Sequence, residues 1–195
     1  MRYDIEHKQR THEKIVREAA KAIRQQGPDK VGIASLMARL GLTQGGFYAH
    51  FKSKNVLIAE AITHIFDERY EVFQNFLKDA DPAEGLARYI DYYLSTHHRD
   101  QRDKGCPAVA LNSDLARMPA VAKKRFEAGM QRMTESLADI MKKLNKSHPH
   151  ALTTSILSEM VGAMVIARAV SNTDFAEQIL DTARANVKRR LGLVT

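Results

Sequence analysis

The apolar residues at the start of the chain fall at helical spacing. Ile15, Val16, Ala19, Ala20 and Ile23 share one face, which predicts a helix over residues 7–26 that ends at Gly27-Pro28. Ile33, Leu36, Met37 and Leu40 repeat the pattern in a second helix over residues 33–40, with Gly41 as its left-handed stop. Thr43 is placed to cap a third helix over residues 44–50, and Ser53 a long fourth over residues 54–78. Asp81-Pro82-Ala83-Glu84 joins a capping carboxylate to Pro at the first helical position and Glu at the third, opening a fifth helix that reaches about residue 99. After a charged segment at 100–105, Cys106-Pro107 starts a short sixth helix through residue 117. Pro119 opens a seventh, to about residue 144, carrying Val121, Phe126, Met130, Met133, Leu137, Ile140, Met141 and Leu144. Ser147-His148-Pro149 opens an eighth to residue 170, and Asn172-Thr173-Asp174 turns into a ninth over residues 175–191. No segment sustains period-two alternation, and no internal repeat or low-complexity tract is present. The pattern predicts an all-α fold of about nine helices.

Composition agrees with this pattern. Of 195 residues, 44% are hydrophobic, enough for a core, and Gly and Pro are only 10 and 5, too few for a turn-rich β protein or a disordered chain. The longest uninterrupted apolar run, residues 160–167, is too short to span a bilayer. The N-terminus has no apolar segment of a secretory signal, and a single cysteine excludes an internal disulfide framework, so a cytoplasmic protein is expected. The net charge of +7 is unevenly placed. Residues 1–54 hold 11 Lys/Arg against 5 Asp/Glu, whereas residues 55–195 hold 19 against 18. A basic module on a neutral body is the electrostatic footprint of a DNA reader, although charge alone would not decide the matter.

Residues 31–54 carry the sharpest signal: two short helices, a tight turn at Gly41, then an aromatic and basic run. That is the layout of a helix-turn-helix, which sets one helix in the major groove of DNA. In the third helix Gln44 is suited to adenine, and Arg39 and Lys52 to phosphate or guanine. Gly45 and Gly46 cost about 1 kcal/mol each relative to Ala in a helix. That cost suits a backbone that must approach DNA closely; the alternative is a frayed turn. Phe47 and Phe51 are expected in the core, and Tyr48 and His50 on the contact face. Lys54, in the first turn of the fourth helix, would meet a phosphate together with free backbone N–H groups. The chain divides at this point into a helix-turn-helix DNA-binding domain, residues 1–54, and a helical body, residues 55–195.

Gly27, Gly41-Leu42-Thr43, Gly45, Phe47-Tyr48-Ala49-His50-Phe51, Lys52, Lys54 and Leu57, in their helical setting, resemble the N-terminal DNA-binding domain of the TetR family. The resemblance is specific over about residues 8–62 and beyond them covers only the helical layout. It implies that Gln44, Gly45, Tyr48, His50 and Lys54 contact DNA. With the chemical candidates, the DNA-contacting set is Arg39, Thr43, Gln44, Gly45, Tyr48, His50, Lys52 and Lys54. The family commonly caps its second helix with Thr or Ser; here Gly32 stands there, so a usual phosphate-contacting hydroxyl is missing.

The resemblance also makes the body an effector-binding and dimerisation domain, implying a homodimer built from the last two helices of each subunit, with double-stranded operator DNA and a small-molecule effector as partners. Residues 160–167 are apolar on nearly every side, as a helix shared between a core and an interface would be. The interface candidates are Met160, Val161, Gly162, Met164, Val165, Arg168 and Ile179; the alternative is the core helix of a monomer. Tyr89, Tyr92, Tyr93, Cys106, Leu111, Met118, Phe126, Met130, Met160 and Met164, with Met133, are candidate effector contacts, against the plainer reading that such residues fill a core. Cys106 is expected to cap the sixth helix with Arg99, Arg102 and Lys104 upstream. The Gly-Cys pair resembles a TetR subgroup with electrophile- and oxidant-responsive members. Thiol sensing is therefore the alternative to ligand sensing, and an inert packed cysteine the alternative to both.

No metal site is expected: His97-His98 point to different faces of a helix, and His148 and His150 flank a Pro. No cofactor is called for. No phosphate-binding loop, nucleophile elbow, zinc-protease motif or dinucleotide fingerprint is present, so an enzyme is not expected. A non-specific DNA-packaging protein would suit the basic charge but not its confinement to one module. The expected function is a homodimeric, ligand-responsive transcriptional regulator that acts as a repressor.

Overall fold

The computed structural model describes residues 2–111 and 113–193 and contains no β-strand among them. Nine α-helices follow in order: α1 (Arg2–Gln26), α2 (Ile33–Arg39), α3 (Lys54–Leu77), α4 (Pro82–Tyr93), α5 (Thr96–Asp100), α6 (Pro107–Ala110), α7 (Ala120–Lys143), α8 (Pro149–Ala169) and α9 (Thr173–Leu191). Helix α1 starts well before its apolar face. Residues 5–10 are exposed, and a solvated stretch of helix leaves no hydrophobic period to read. Side-chain caps set the starts of α3, α4 and α9. Ser53 Oγ accepts from the Val56 amide, Asp81 from those of Ala83 and Glu84, and Asn172 from that of Phe175. Gly27 and Gly41 lie at φ +83° and +69°, conformations that favour glycine, and they turn the chain out of α1 and α2.

Three sequence expectations are corrected. The third helix is not α-helical: residues Gly45–Ala49 form a tighter 3₁₀ helix. The glycine pair weakens α-helix propagation, while burial of Phe47 and Phe51 fixes the segment from behind. The fifth helix breaks into α4 and α5 because Ser95 turns its hydroxyl on the backbone, donating to Tyr92 O at 2.7 Å and accepting from His98 N at 3.1 Å. The sixth is a single turn, α6, followed by a separate 3₁₀ turn at Leu115–Arg117; between them Leu111 is drawn fully into a core.

Two hydrophobic cores result. The first joins α1, α2, the 3₁₀ helix and the N-terminal half of α3, through Leu57, Ile62 and Phe66, with Leu111, Met118 and Ala122 closing it from the body. The second joins Phe73 of α3 to α4, α7, α8 and α9. Helix α3 therefore takes part in both. It lies so close to α7 that a Cβ on Gly129 would overlap the Phe66 ring, which also packs edge-on against Phe126 at 5.4 Å. Arg24 of α1 reaches across to Glu68 of α3 at 2.8 Å, a second tie between the N-terminal module and the body.

Helix α8, 21 residues long with mean hydropathy 1.3, is by length and composition apolar enough to cross a membrane. Folding accounts for that composition, because Ile156, Met160, Ala163, Met164 and Ala167 of α8 are buried in the second core.

Candidate nucleic-acid interface and a cavity in the body

Phe47 and Phe51 are the anchors of the N-terminal surface. Both are fully buried and stack at 5.4 Å. With them fixed inward, the 3₁₀ helix turns its other face to solvent. Tyr48 stands 63% exposed, touching Phe47 only edge-on at 5.2 Å. An exposed tyrosine ring beside exposed Gln44, Gly45 and Lys52 forms a surface with an aromatic, an amide and a cation. Thr43 Oγ1 accepts from the Gly46 amide at 3.3 Å and so caps the turn while remaining exposed. A Cβ on Gly45 would meet nothing within 4 Å, and one on Gly46 only ordinary contacts beginning at 3.4 Å. Neither glycine is demanded by the fold, and at Gly45 the bare backbone faces outward.

Two of the remaining DNA-contact candidates have partners within the chain. Arg39 pairs with Glu18 at 3.0 Å, and Lys54 Nζ donates to the Asp29 carbonyl at 2.9 Å, tying the loop before α2 to the start of α3. His50 is half-buried and its Nδ1 has no hydrogen-bond partner. Burial, then the neighbouring His12, Lys8 and His7, lower its pKa below that of a free imidazole. Behind it His12 stacks on Phe51 at 4.4 Å and meets Glu60 at 2.6 Å.

The body contains a cavity between α3, α4, α5, α6, α7 and α8. It has about 500 Å³ of unfilled space including its open mouth, but an enclosed volume of only about 30 Å³, so it is a slit with room for a water-sized molecule. Of the predicted effector contacts, Tyr89, Tyr92, Tyr93, Cys106, Met130 and Met133 line it. Leu111, Met118 and Phe126 do not; they pack in or against the first core. Met160 and Met164 are buried in the second core beyond the wall. Sequence reasoning missed Arg69 and His98. Arg69 sits on a stretch of α3 that reads as a solvated face, and His98 reads from the sequence only as half of an adjacent histidine pair unsuited to a metal. The break at Ser95 brings His98 inward, to 2% exposure.

The polar wall of the slit is specific. His98 Nδ1 lies 2.7 Å from the Tyr93 carbonyl, which only accepts, so Nδ1 carries the proton. Burial lowers the His98 pKa to about 4, and Nε2 is left without a partner. Burial likewise raises the Tyr93 phenol well above its ordinary value; its hydroxyl lies near Cys106 but outside hydrogen-bonding geometry. Arg69 Nη1 donates to Tyr92 Oη at 2.9 Å, and Tyr92 stacks on His98 at 5.5 Å. Cys106 caps the single-turn α6 and is half-buried.

The predicted interface residues divide. Met160 and Met164 are already buried in their own subunit, so they are not surface residues. Arg168 is turned inward as well: Nε donates to Arg99 O at 3.0 Å and Nη2 to His98 O at 2.8 Å, holding α5 against α8. Val161, Gly162, Val165 and Ile179 remain half-buried, and Ile166 and Phe175, each 51% exposed, are large apolar side chains outside the predicted set. Among the described residues no cluster of three or more His, Cys, Asp or Glu is placed to hold a metal.

Comparison with known proteins matches this arrangement. The family model of bacterial regulatory proteins, tetR family, matches residues 15–61, which cover the C-terminal half of α1, α2, the 3₁₀ helix and the start of α3. An uncharacterized HTH-type transcriptional regulator of Bacillus subtilis (strain 168), YvdT, is 38% identical over 61 residues, 29% of this chain and 31% of that protein; the match thus spans about a third of the relative's length. The reduced form of NemR from E. coli superposes with a TM-score of 0.81 at 16% identity, covering 92% of this chain and 95% of that one. A TetR transcriptional regulator from Chloroflexus aurantiacus J-10-FL does so at 0.80 and 22% identity, covering 96% of each. At these identities the structural likeness is one of fold.

Proposed function

We propose that the chain, whose residues 15–61 match the tetR family model, is a member of that family and acts as a homodimeric, cytoplasmic repressor released from operator DNA by a small-molecule effector. The observation that carries this reading is the outward face of the 3₁₀ helix. Tyr48, Gln44, Gly45 and Lys52 stand exposed on the basic module, held from behind by two fully buried phenylalanines. In the operator complex Gln44 and Tyr48 face bases, and Lys52, Lys54, Arg39 and Thr43 reach phosphates, with His50 beside them. Arg39 and Lys54 exchange or share their internal partners when they bind. The short recognition segment presents few side chains, so backbone contacts and DNA shape carry much of the affinity.

Release runs through α3. Its first turn adjoins the DNA-facing surface, Phe66 packs in the first core, and Phe66, Arg69 and Val72 line the slit. An effector that spreads the slit shifts α3 against α7 and with it the spacing of the two recognition segments. To move the population fully it must bind the released conformer about 10⁴-fold better than the DNA-bound one. Protein-bound genomic fragments identify the operator. On that operator, Tyr48→Ala is expected to weaken binding at least tenfold with the fold retained. Lys52→Ala is expected to lower the salt dependence of log K by about one. Affinity and salt slope unchanged in both variants would remove this surface as the DNA interface.

Thiol sensing is a second reading, favoured by the position of Cys106 in the cavity wall. It predicts that Cys106→Ser abolishes operator release by an oxidant or electrophile. Release unchanged in that variant rejects it.

A further inference from the structure

The slit has a chemical polarity that its apolar lining hides. Its lining includes the rings of Phe66 and three tyrosines and the thioethers of Met130 and Met133. Methionine is adaptable and packs well on ring edges, so a narrow space between these walls opens most readily for something flat. The apolar lining is interrupted by His98, Tyr93 and Arg69, whose Nε2, Oη and Nε are each buried and without a hydrogen-bond partner, and the Tyr93 and His98 rings lie 4.8 Å apart. Buried polar atoms without partners are costly, so three around one cavity point to a ligand that satisfies them.

Their chemistry is not interchangeable. His98 spends its proton on the Tyr93 carbonyl, so Nε2 offers a lone pair and needs a donor. The Tyr93 hydroxyl stays protonated and can donate. A ligand group that both donates and accepts therefore fits the pair, and a hydroxyl does this with one atom. The Arg69 guanidinium, with no acidic residue among the lining residues, favours an oxygen of enhanced negative character. A phenol donates to Nε2 more strongly than an aliphatic alcohol does, and its oxygen gains negative charge as its proton is drawn toward the imidazole. A carboxylate only accepts, and it would set its lone pairs against that of Nε2.

We propose that the cavity binds a planar hydroxyaromatic compound, its hydroxyl donating to His98 Nε2 and accepting from Tyr93 Oη, with Arg69 beside the same oxygen and the ring packed among the tyrosines and Met130/Met133. The proposal rests on the effector reading above and specifies the effector's class. The enclosed space is smaller than such a ring, so binding displaces the methionine side chains and works against the α3–α7 contact at Phe66 and Gly129.

The test measures binding to the full-length protein without DNA, by calorimetry, using three probes of one shape: 2-naphthol, 2-methoxynaphthalene and 2-naphthoate. Naphthol is expected to bind at least tenfold more tightly than either of the others, because the ether lacks the donor and the carboxylate lacks it with added repulsion. In His98→Phe, and to a smaller degree in Tyr93→Phe, the preference for naphthol over the ether is expected to disappear. The probe comparison in the unmodified protein stands even if a variant fails to fold. Equal binding of naphthol and the ether, tighter binding of the carboxylate, or no binding of naphthol overturns the proposal. Operator affinity is then measured with and without naphthol. Naphthol binding without loss of operator affinity would refute effector release while leaving the ligand class in place. Loss of operator affinity to a non-hydroxylated compound would do the reverse.

Discussion

At the scale of single residues, the charge states that matter are set by burial. His98 is held neutral because its ring is enclosed and its one proton is already committed to the Tyr93 carbonyl. Its pKa is about 4 in the folded chain and about 6.5 when unfolded. Between those values the unfolded chain takes up a proton that the folded chain refuses. Stability therefore falls as pH drops from about 6.5 to about 4, by on the order of 3 kcal/mol from this group. Thermal unfolding from pH 7 to pH 4 is expected to show a shallower decline in His98→Phe than in the parent. Parallel curves would mean that His98 is protonated in the folded chain. Glu68 acts lower on the scale. His64 at 3.3 Å and Arg24 at 2.8 Å hold its carboxyl at about 2, so its contribution is present above about 4.5 and is lost as pH falls toward 2. Because Glu68 is partly exposed, solvent screens that contribution, and the larger pH effect belongs to His98.

At the scale of elements, the recognition segment departs furthest from a regular helix. Gly45 and Gly46 lower its α-propensity, and the two buried phenylalanines keep it in place as a 3₁₀ turn. The open space at Gly45 separates folding from function. Gly45→Ala is expected to leave the melting temperature unchanged or raise it slightly, since Ala is better by up to about 1 kcal/mol in a helix. The same variant is expected to weaken operator binding about tenfold or more, because the new methyl stands between backbone and DNA. Full operator affinity in Gly45→Ala would show that no close backbone approach occurs there. The break between α4 and α5 has the same local character: one serine hydroxyl, bonded to two backbone groups, redirects the chain and carries His98 into the slit.

At the scale of the whole molecule, α3 couples two cores, and α8 divides its apolar residues between a core and a surface. Ile166 and Phe175 are the large apolar side chains left open near the α8–α9 turn, beside half-buried Val165 and Ile179. Ile166→Glu with Phe175→Asp is expected to convert a dimer to monomers in sedimentation equilibrium and to lower operator affinity steeply, since two half-sites are then no longer held together. A dimer that persists would place the interface elsewhere. Hydrophobic period, capping residues and turn glycines by themselves determined the helical class, most helix starts and the helix-turn-helix. They also placed Phe47 and Phe51 inside and Tyr48 outside, because each of these follows from contacts a few residues apart. Only the tertiary structure decided that the third helix is 3₁₀, that Met160, Met164 and Arg168 face inward, and that Arg69 and His98 meet Tyr93 in one cavity. Those outcomes depend on which surface of a helix finds a partner distant in the chain. An apolar stripe identifies a face that will be buried, but it does not say by what.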